Sequence, residues 1–149
     1  MPKRIQMSRQ RPWRAENPDA VIVARPSKWG NPLRVVRTEC SLGGLCWAVA
    51  LGQMVVQQHL DSDQRARELA VSFFRSWMDE DDHHDLPDPS ELRGRDLACW
   101  CPPAHPCHAD VLLELANGPD DEGVLPRNHP TPHPNYTNVV SAHQEGAQQ

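Results

Sequence analysis

The sequence predicts a single small α/β domain, with a mixed and mainly parallel sheet, a β-hairpin insertion and helices packed on the sheet. Three stretches carry this expectation. Ala20 to Ala24 (Ala-Val-Ile-Val-Ala) is an unbroken apolar run rich in β-branched residues, the pattern of a strand covered on both faces. Residues 63 to 78 repeat apolar side chains with a helical period. Residues 92 to 118 read as a strand, a loop stiffened by prolines and a second helix. At 149 residues with 38% apolar content, the chain is long enough to bury one core without staples.

Residues 1 to 17 are polar and basic, with Trp13 their only bulky aromatic group, and are expected to form a flexible arm. Arg9, Arg11 and Arg14 beside Trp13 also leave open a local contact with nucleic acid through phosphate and base stacking. The α/β domain is placed at residues 18 to 118. After the buried strand comes Arg25-Pro26-Ser27-Lys28-Trp29-Gly30-Asn31-Pro32, a loop in which proline restricts φ and glycine allows a close backbone approach. Leu33 to Arg37 reads as a partly exposed strand. Cys46–Leu51 and Met54–Leu60 flank Gly52-Gln53, and glycine at the first central position favours a type II′ hairpin. Cys40 and Cys46 have no motif around them and read as ordinary reduced thiols.

The helix over 63 to 78 is expected to start from Asp61 in a capping box with Gln64. It buries Ala66, Leu69, Ala70, Phe73, Phe74 and Trp77. The acidic run from Asp79 to Asp85, interrupted by His83 and His84, reads as a solvated loop. A last strand is expected over Asp96 to Cys101, stopped by Pro102, Pro103 and Pro106. The final helix should begin near Cys107, with Asp110 in its first turn and Asn117-Gly118-Pro119 as its stop. Its stripe of Val111, Leu112 and Leu115 carries His108 inward, over the carboxyl end of the preceding strand, where open α/β sheets bind ligands. Residues 119 to 149 are rich in proline and histidine and are expected to be a disordered tail.

Charge and cysteine usage narrow the function classes. The net charge of −5 conceals a balance of +7 over residues 1 to 37 and −12 over the rest. That overall acidity disfavours a general nucleic-acid binder. The sequence has no apolar run long enough to span a membrane and no signal-peptide pattern. Together with an odd number of cysteines, five, this points to reduced thiols in a cytoplasm and to no membrane association.

The run Arg-Gly-Arg-Asp-Leu-Ala-Cys-Trp-Cys-Pro-Pro-Ala-His-Pro-Cys-His-Ala-Asp-Val-Leu-Leu-Glu-Leu-Ala-Asn at 93 to 117, with Arg-Pro-Ser-Lys-Trp-Gly-Asn-Pro at 25 to 32, resembles a family found in bacteria and phages. It is called domain of unknown function 4326, and the resemblance covers roughly residues 20 to 118. It implies an α/β fold and marks the two blocks as the family's signature, and it implies no reaction.

Three of the five cysteines and two of the eight histidines fall within ten residues, Cys99 to His108, and three readings of them stand side by side. Cys99, Cys101, Cys107 and His108 have the chemistry of zinc ligands. Their spacing is not that of a familiar finger, however, and Cys99 and Cys101 on a straight strand would lie about 6.5 Å apart. Alternatively, Cys107 at a helix N-terminus is a reactive thiol with His108 or His105 as base, or the same N–H groups hold a phosphate. In the third reading the cluster is structural only.

The leading functional expectation is a Rossmann-like cytoplasmic protein that binds a phosphorylated small molecule, a nucleotide or nucleoside derivative, with its hydrolysis or transfer left open. Arg25, Ser27, Lys28, Asn31 and Cys101 would bind the ligand, and Cys107 and His108 would do the chemistry or orient the substrate. The alternative is a non-enzymatic interaction protein whose Cys/His cluster stabilises the fold, with or without zinc.

Overall fold

The computed structural model describes residues 1–80 and 86–118. The acidic, histidine-containing run beyond Glu80 and the tail from residue 119 lie outside the described residues. Along the chain come strand β1 (Arg4–Gln6), helix α1 (Trp13–Glu16), strands β2 (Val21–Ile22), β3 (Leu33–Glu39), β4 (Leu45–Leu51) and β5 (Met54–Leu60), and helix α2 (Asp63–Asp79). A 3-10 turn (Pro89–Leu92), strand β6 (Leu97–Cys99) and helix α3 (His108–Asn117) complete it. The α/β expectation holds in this coarser form. The strands form two separate three-stranded sheets, one parallel and one antiparallel, where a single mainly parallel sheet was expected.

The parallel sheet has the order β1-β6-β2. Its central strand β6 pairs Leu97 and Ala98 with Val21 and Ile22 on one side and with Arg4 and Ile5 on the other. A central strand has no solvent-facing edge, and Leu97, Ala98 and Cys99 are all buried. β6 is shorter than the expected 96 to 101, because the chain bends after Cys99 and leaves Trp100 half exposed.

The expected flexible arm contains an edge strand. Residues 4 to 6 pair along β6, and the ladder extends through Met7 N–H to the Cys99 carbonyl at 2.8 Å. Polarity at the sequence level hid this, because β1 needs only one buried face, supplied by Ile5 and Met7.

The antiparallel sheet runs β3-β4-β5 with β4 in the middle. Its second turn is the hairpin read from Gly52-Gln53, and Gly52 takes a φ of 59° as that turn requires. The first turn was not foreseen. Gly43 and Gly44 both have positive φ and fold β4 back on β3, with Thr38 opposite Cys46 and Glu39 opposite Leu45. Cys40 lies just beyond this ladder, and its Cα is 5.6 Å from that of Cys46, within disulfide reach. The two are joined in a disulfide, which corrects the expectation of reduced thiols there.

Helix α2 links the two sheets. Ala66 and Ala70 pack with Val49 of β4, while Phe74, one turn on, enters the core around β6 with Leu97 and Leu112. Phe74 is only 1% exposed, and burying such a ring stabilises the fold by roughly 1.5–3 kcal/mol. The helix is capped one residue later than expected. Ser62, not Asp61, accepts the Arg65 N–H at 3.1 Å. Among the described residues no helix is long and apolar enough to cross a membrane.

Candidate functional site

Parallel pairing of β2 and β6 sends both carboxyl ends to one edge of the sheet, so the loops that follow them become neighbours. The loop after β2 is the Arg25–Pro32 block, and the loop after β6 runs from Trp100 through three prolines into α3. Between them lies a cavity of about 490 Å³. Arg25 and Asn31 line it from the first block, and Cys99, Cys101, Cys107 and His108 from the second. Asp63 and Arg67 on α2, Trp47 on β4 and the exposed Trp100 complete its walls. Its volume falls in the range of small-molecule sites.

His108 is the first residue of α3 and is buried, as its place on the apolar stripe requires. Its Nε2 lies 2.8 Å from the Val23 carbonyl oxygen. A carbonyl can only accept, so Nε2 carries a proton, an assignment made from this bond. Nδ1 faces Cys107 Sγ at 3.8 Å. The ring is held edge-on by Phe74, with centroids 5.4 Å apart. Val23 directly follows β2, donates its N–H to the Ala98 carbonyl and leads into the first block, so this bond ties the two blocks together.

Cys107 is the N-cap of α3, with its backbone extended at φ −144° and no side-chain capping bond. The residue is 2% exposed. In the reactive-thiol reading the helix N-terminus lowers this thiol, whereas its sulfur neighbours and its burial act in the other direction. Hydrogen bonding with the Cys101 thiol, then with Cys99, and burial all push the Cys107 thiol up. Hydrogen bonds from the Cys101 and Cys107 thiols pull Cys99 down instead. The Cys107 thiol also acts to lower Cys101, but its contact with Cys99 and its burial win and leave it raised. The three thiols therefore act on one another's titration as one coupled group. All three lie within 4.8 Å of one another, and Cys99 and Cys101 are 3.8 Å apart. The bend after Cys99 removes the 6.5 Å separation of a straight strand. All three are free thiols.

The residues of the first block divide by role. The Arg25 guanidinium donates to the carbonyls of Asn31 and Leu33 and lines the cavity. Asn31 lines it too, but its side chain is engaged: Nδ2 donates to the Ala70 carbonyl and Oδ1 accepts the Leu33 N–H. Asn31 thus pins the loop to α2. Lys28 points elsewhere, pairing with Glu91 at 2.6 Å and lying over the Trp29 ring. Ser27 Oγ is buried without a hydrogen-bond partner among the described residues, and neither Ser27 nor Lys28 lines the cavity. Gly30 packs against Arg25. A Cβ there would sit 2.8 Å from Arg25 Cγ and 3.0 Å from its backbone, so only glycine leaves Arg25 its present place.

Arg4 was missed by sequence reasoning. Its guanidinium donates to the carbonyls of Pro102, Pro103 and His105 and to the Asp110 carboxylate, clasping the proline loop from β1. Burial pushes the Asp110 carboxyl up, partly offset by Arg4. His105 does not line the cavity, and its Nδ1 is buried without a hydrogen-bond partner among the described residues. Arg9 lies over the Trp100 ring at 5.8 Å, which brings the basic N-terminal segment to the rim. A second Cys/His group sits at the far end of the antiparallel sheet. There His59, at a positive φ of 65°, places Nδ1 3.0 Å from Cys40 Sγ beside the disulfide.

No curated protein and no solved structure matches the chain. One family model does, over residues 5–118, and its span begins inside β1 where the sequence reading had begun it near residue 20. That match takes in both loops around the cavity and the strand that carries Ile5. The chain belongs to the family described as domain of unknown function (DUF4326).

Proposed function

We propose that this protein binds a phosphorylated small molecule, a nucleotide or nucleoside derivative, in the cavity between the Arg25–Pro32 and Trp100–His108 loops. The observation that carries the reading is that two blocks separated by 67 residues of sequence line one cavity at the carboxyl edge of a parallel sheet. Two guanidiniums, Arg25 and Arg67, face one carboxylate, Asp63, which bonds Arg67 at 2.7 Å. The walls therefore favour an anion, and guanidinium suits phosphate in particular. Trp47 and Trp100 offer aromatic faces on which a base could stack. The β1-β6-β2 order, with α3 leaving the carboxyl end of the central strand, supports a Rossmann-like arrangement around the site.

Binding is better supported than turnover. The Cys107 thiol is raised rather than activated, and the His108 proton is engaged by a backbone carbonyl. Hydrolysis or transfer would draw on the group of three thiols, with His108 as the positioning residue.

The test is a thermal-shift series of nucleoside mono-, di- and triphosphates against the unphosphorylated nucleosides. A ligand at 100 times its Kd stabilises the fold by about 2.7 kcal/mol. Phosphorylated members should raise the melting temperature and the nucleosides should not. Arg25→Ala and Arg67→Ala should each weaken the response at least tenfold. Equal responses to nucleosides and nucleotides, or full responses in both variants, would refute the reading.

A further inference from the structure

We propose that Cys99, Cys101 and Cys107 bind one thiophilic divalent cation with the chemistry of zinc, as three thiolates, and that its fourth coordination position opens into the cavity. Tetrahedral zinc with Zn–S bonds of about 2.3 Å sets its sulfurs about 3.8 Å apart. The Cys99 and Cys101 sulfurs are 3.8 Å apart, and all three sulfurs fall within 4.8 Å of one another. Moving each sulfur by a fraction of an ångström onto a common centre completes the triangle.

The backbone explains why three near neighbours in sequence converge. Cys99 ends β6, Cys101 lies past the bend, and Cys107 is held extended at the N-cap of α3, so each thiol approaches from a different direction. The prolines between Cys101 and Cys107, clasped by Arg4, hold that loop closed. Thiolate-rich sets select zinc and its soft neighbours over magnesium or calcium, which require oxygen ligands.

The fourth position follows from His108. Its ring stays outside the mutual sulfur group, with Nε2 on the Val23 carbonyl and Nδ1 3.8 Å from Cys107 Sγ. All three cysteines line the cavity, so the open side of a metal on them faces the volume between the loops. Three protein ligands and one exchangeable position is the arrangement of reactive zinc sites, in contrast to the closed four-ligand structural kind. Metal binding itself is independent of the anion-binding reading, whereas the cavity-facing fourth position deepens it.

The full chain, purified anaerobically without thiol reductant, is analysed for bound metal and then reconstituted with cobalt(II), whose thiolate charge-transfer and visible bands report a tetrahedral sulfur site. One metal per chain is expected. Cys99→Ser, Cys101→Ser and Cys107→Ser should each weaken binding at least a hundredfold, and the Cys40→Ser/Cys46→Ser pair should retain it. Metal-free protein that takes up no cobalt, or single variants that keep it, would overturn the proposal. Should those variants fail to fold, the wild-type thiols decide. Slow alkylation that a chelator accelerates supports the site, and equal rates with and without chelator overturn it. For the open position, imidazole should shift the cobalt spectrum and His108→Asn should leave metal content unchanged; failure of either closes the fourth position. Arg25→Ala should keep the cobalt bands while losing the response to inorganic phosphate, so failure of the metal site and failure of the anion site are read separately.

Discussion

Arg4 offers the sharpest test of how the N-terminal segment supports the site. Its side chain is 11% exposed and makes four hydrogen bonds, at 3.2 and 2.6 Å from Nη1 and at 3.3 and 2.6 Å from Nη2. Three go to carbonyls of the 102–105 loop and one to Asp110, whose side chain is 52% exposed. A hydrogen bond from a charged donor contributes roughly 1.5–3 kcal/mol when well shielded. The Pro102 and Pro103 residues are exposed and water can replace the donor there, while an ion pair to a half-exposed carboxylate adds about 0.2–1 kcal/mol. Arg4→Gln should therefore destabilise the domain by about 2–3 kcal/mol in urea titration. Arg4→Lys, which keeps the charge but not the two-pronged reach, should recover at most about 1 kcal/mol of that. Hydrogen exchange gives a local readout. The Leu97 amide, bonded to the Lys3 carbonyl at 3.0 Å, and the Met7 amide should lose protection together in Arg4→Gln. A Gln variant within about 0.5 kcal/mol of wild type, with those amides still protected, would refute the clasp.

Three further outcomes follow from the packing. Phe74→Ala empties the space between His108, Trp77 and Leu112 and should cost about 3–5 kcal/mol by denaturant titration, a loss below about 1.5 kcal/mol contradicting its central place. Gly30→Ala should push Arg25 from the cavity wall and weaken phosphate binding measured by calorimetry, more than it lowers stability; unchanged affinity would show that Arg25 is not a ligand. Removing the Cys40–Cys46 disulfide by paired serine substitution releases a short loop, with a sequence separation of 6. The loss should be about 2 kcal/mol, and no change in the urea midpoint would argue that the bond does not persist in solution.

How much of this was legible in the sequence depended on whether the signal was local. Cys107 as the start of α3, His108 turned inward, the Gly52-Gln53 hairpin and the helix over 63 to 78 all follow from periodicity, turn chemistry and capping within a few residues. The meeting of the Arg25–Pro32 and Cys99–His108 blocks was also legible, because parallel strands share one carboxyl edge. What failed was pairing at long range or in polar disguise. Arg4 acts across about a hundred positions of sequence on carbonyls that carry no sequence signature. β1 is a three-residue edge strand in a basic stretch, too short to show alternation. Lys28 looked like a phosphate ligand beside Arg25, but only the fold shows Glu91 waiting for it. The Cys40–Cys46 pair could have been suspected from Gly43-Gly44 between them, since two adjacent glycines at positive φ make a tight reversal. The approach of the three sulfurs to within 4.8 Å of one another depends on the bend after Cys99, which no spacing rule states.

The most direct test of the central claim is an amide NMR titration of the full chain with a nucleoside diphosphate. Binding between the two blocks predicts shift changes concentrated at Ala24 to Asn31 and Cys99 to Ala109, with Arg67 also moving, and their loss in Arg25→Ala. Shifts confined to the basic segment around Arg9 to Arg14, or no saturable shifts at all, would contradict it.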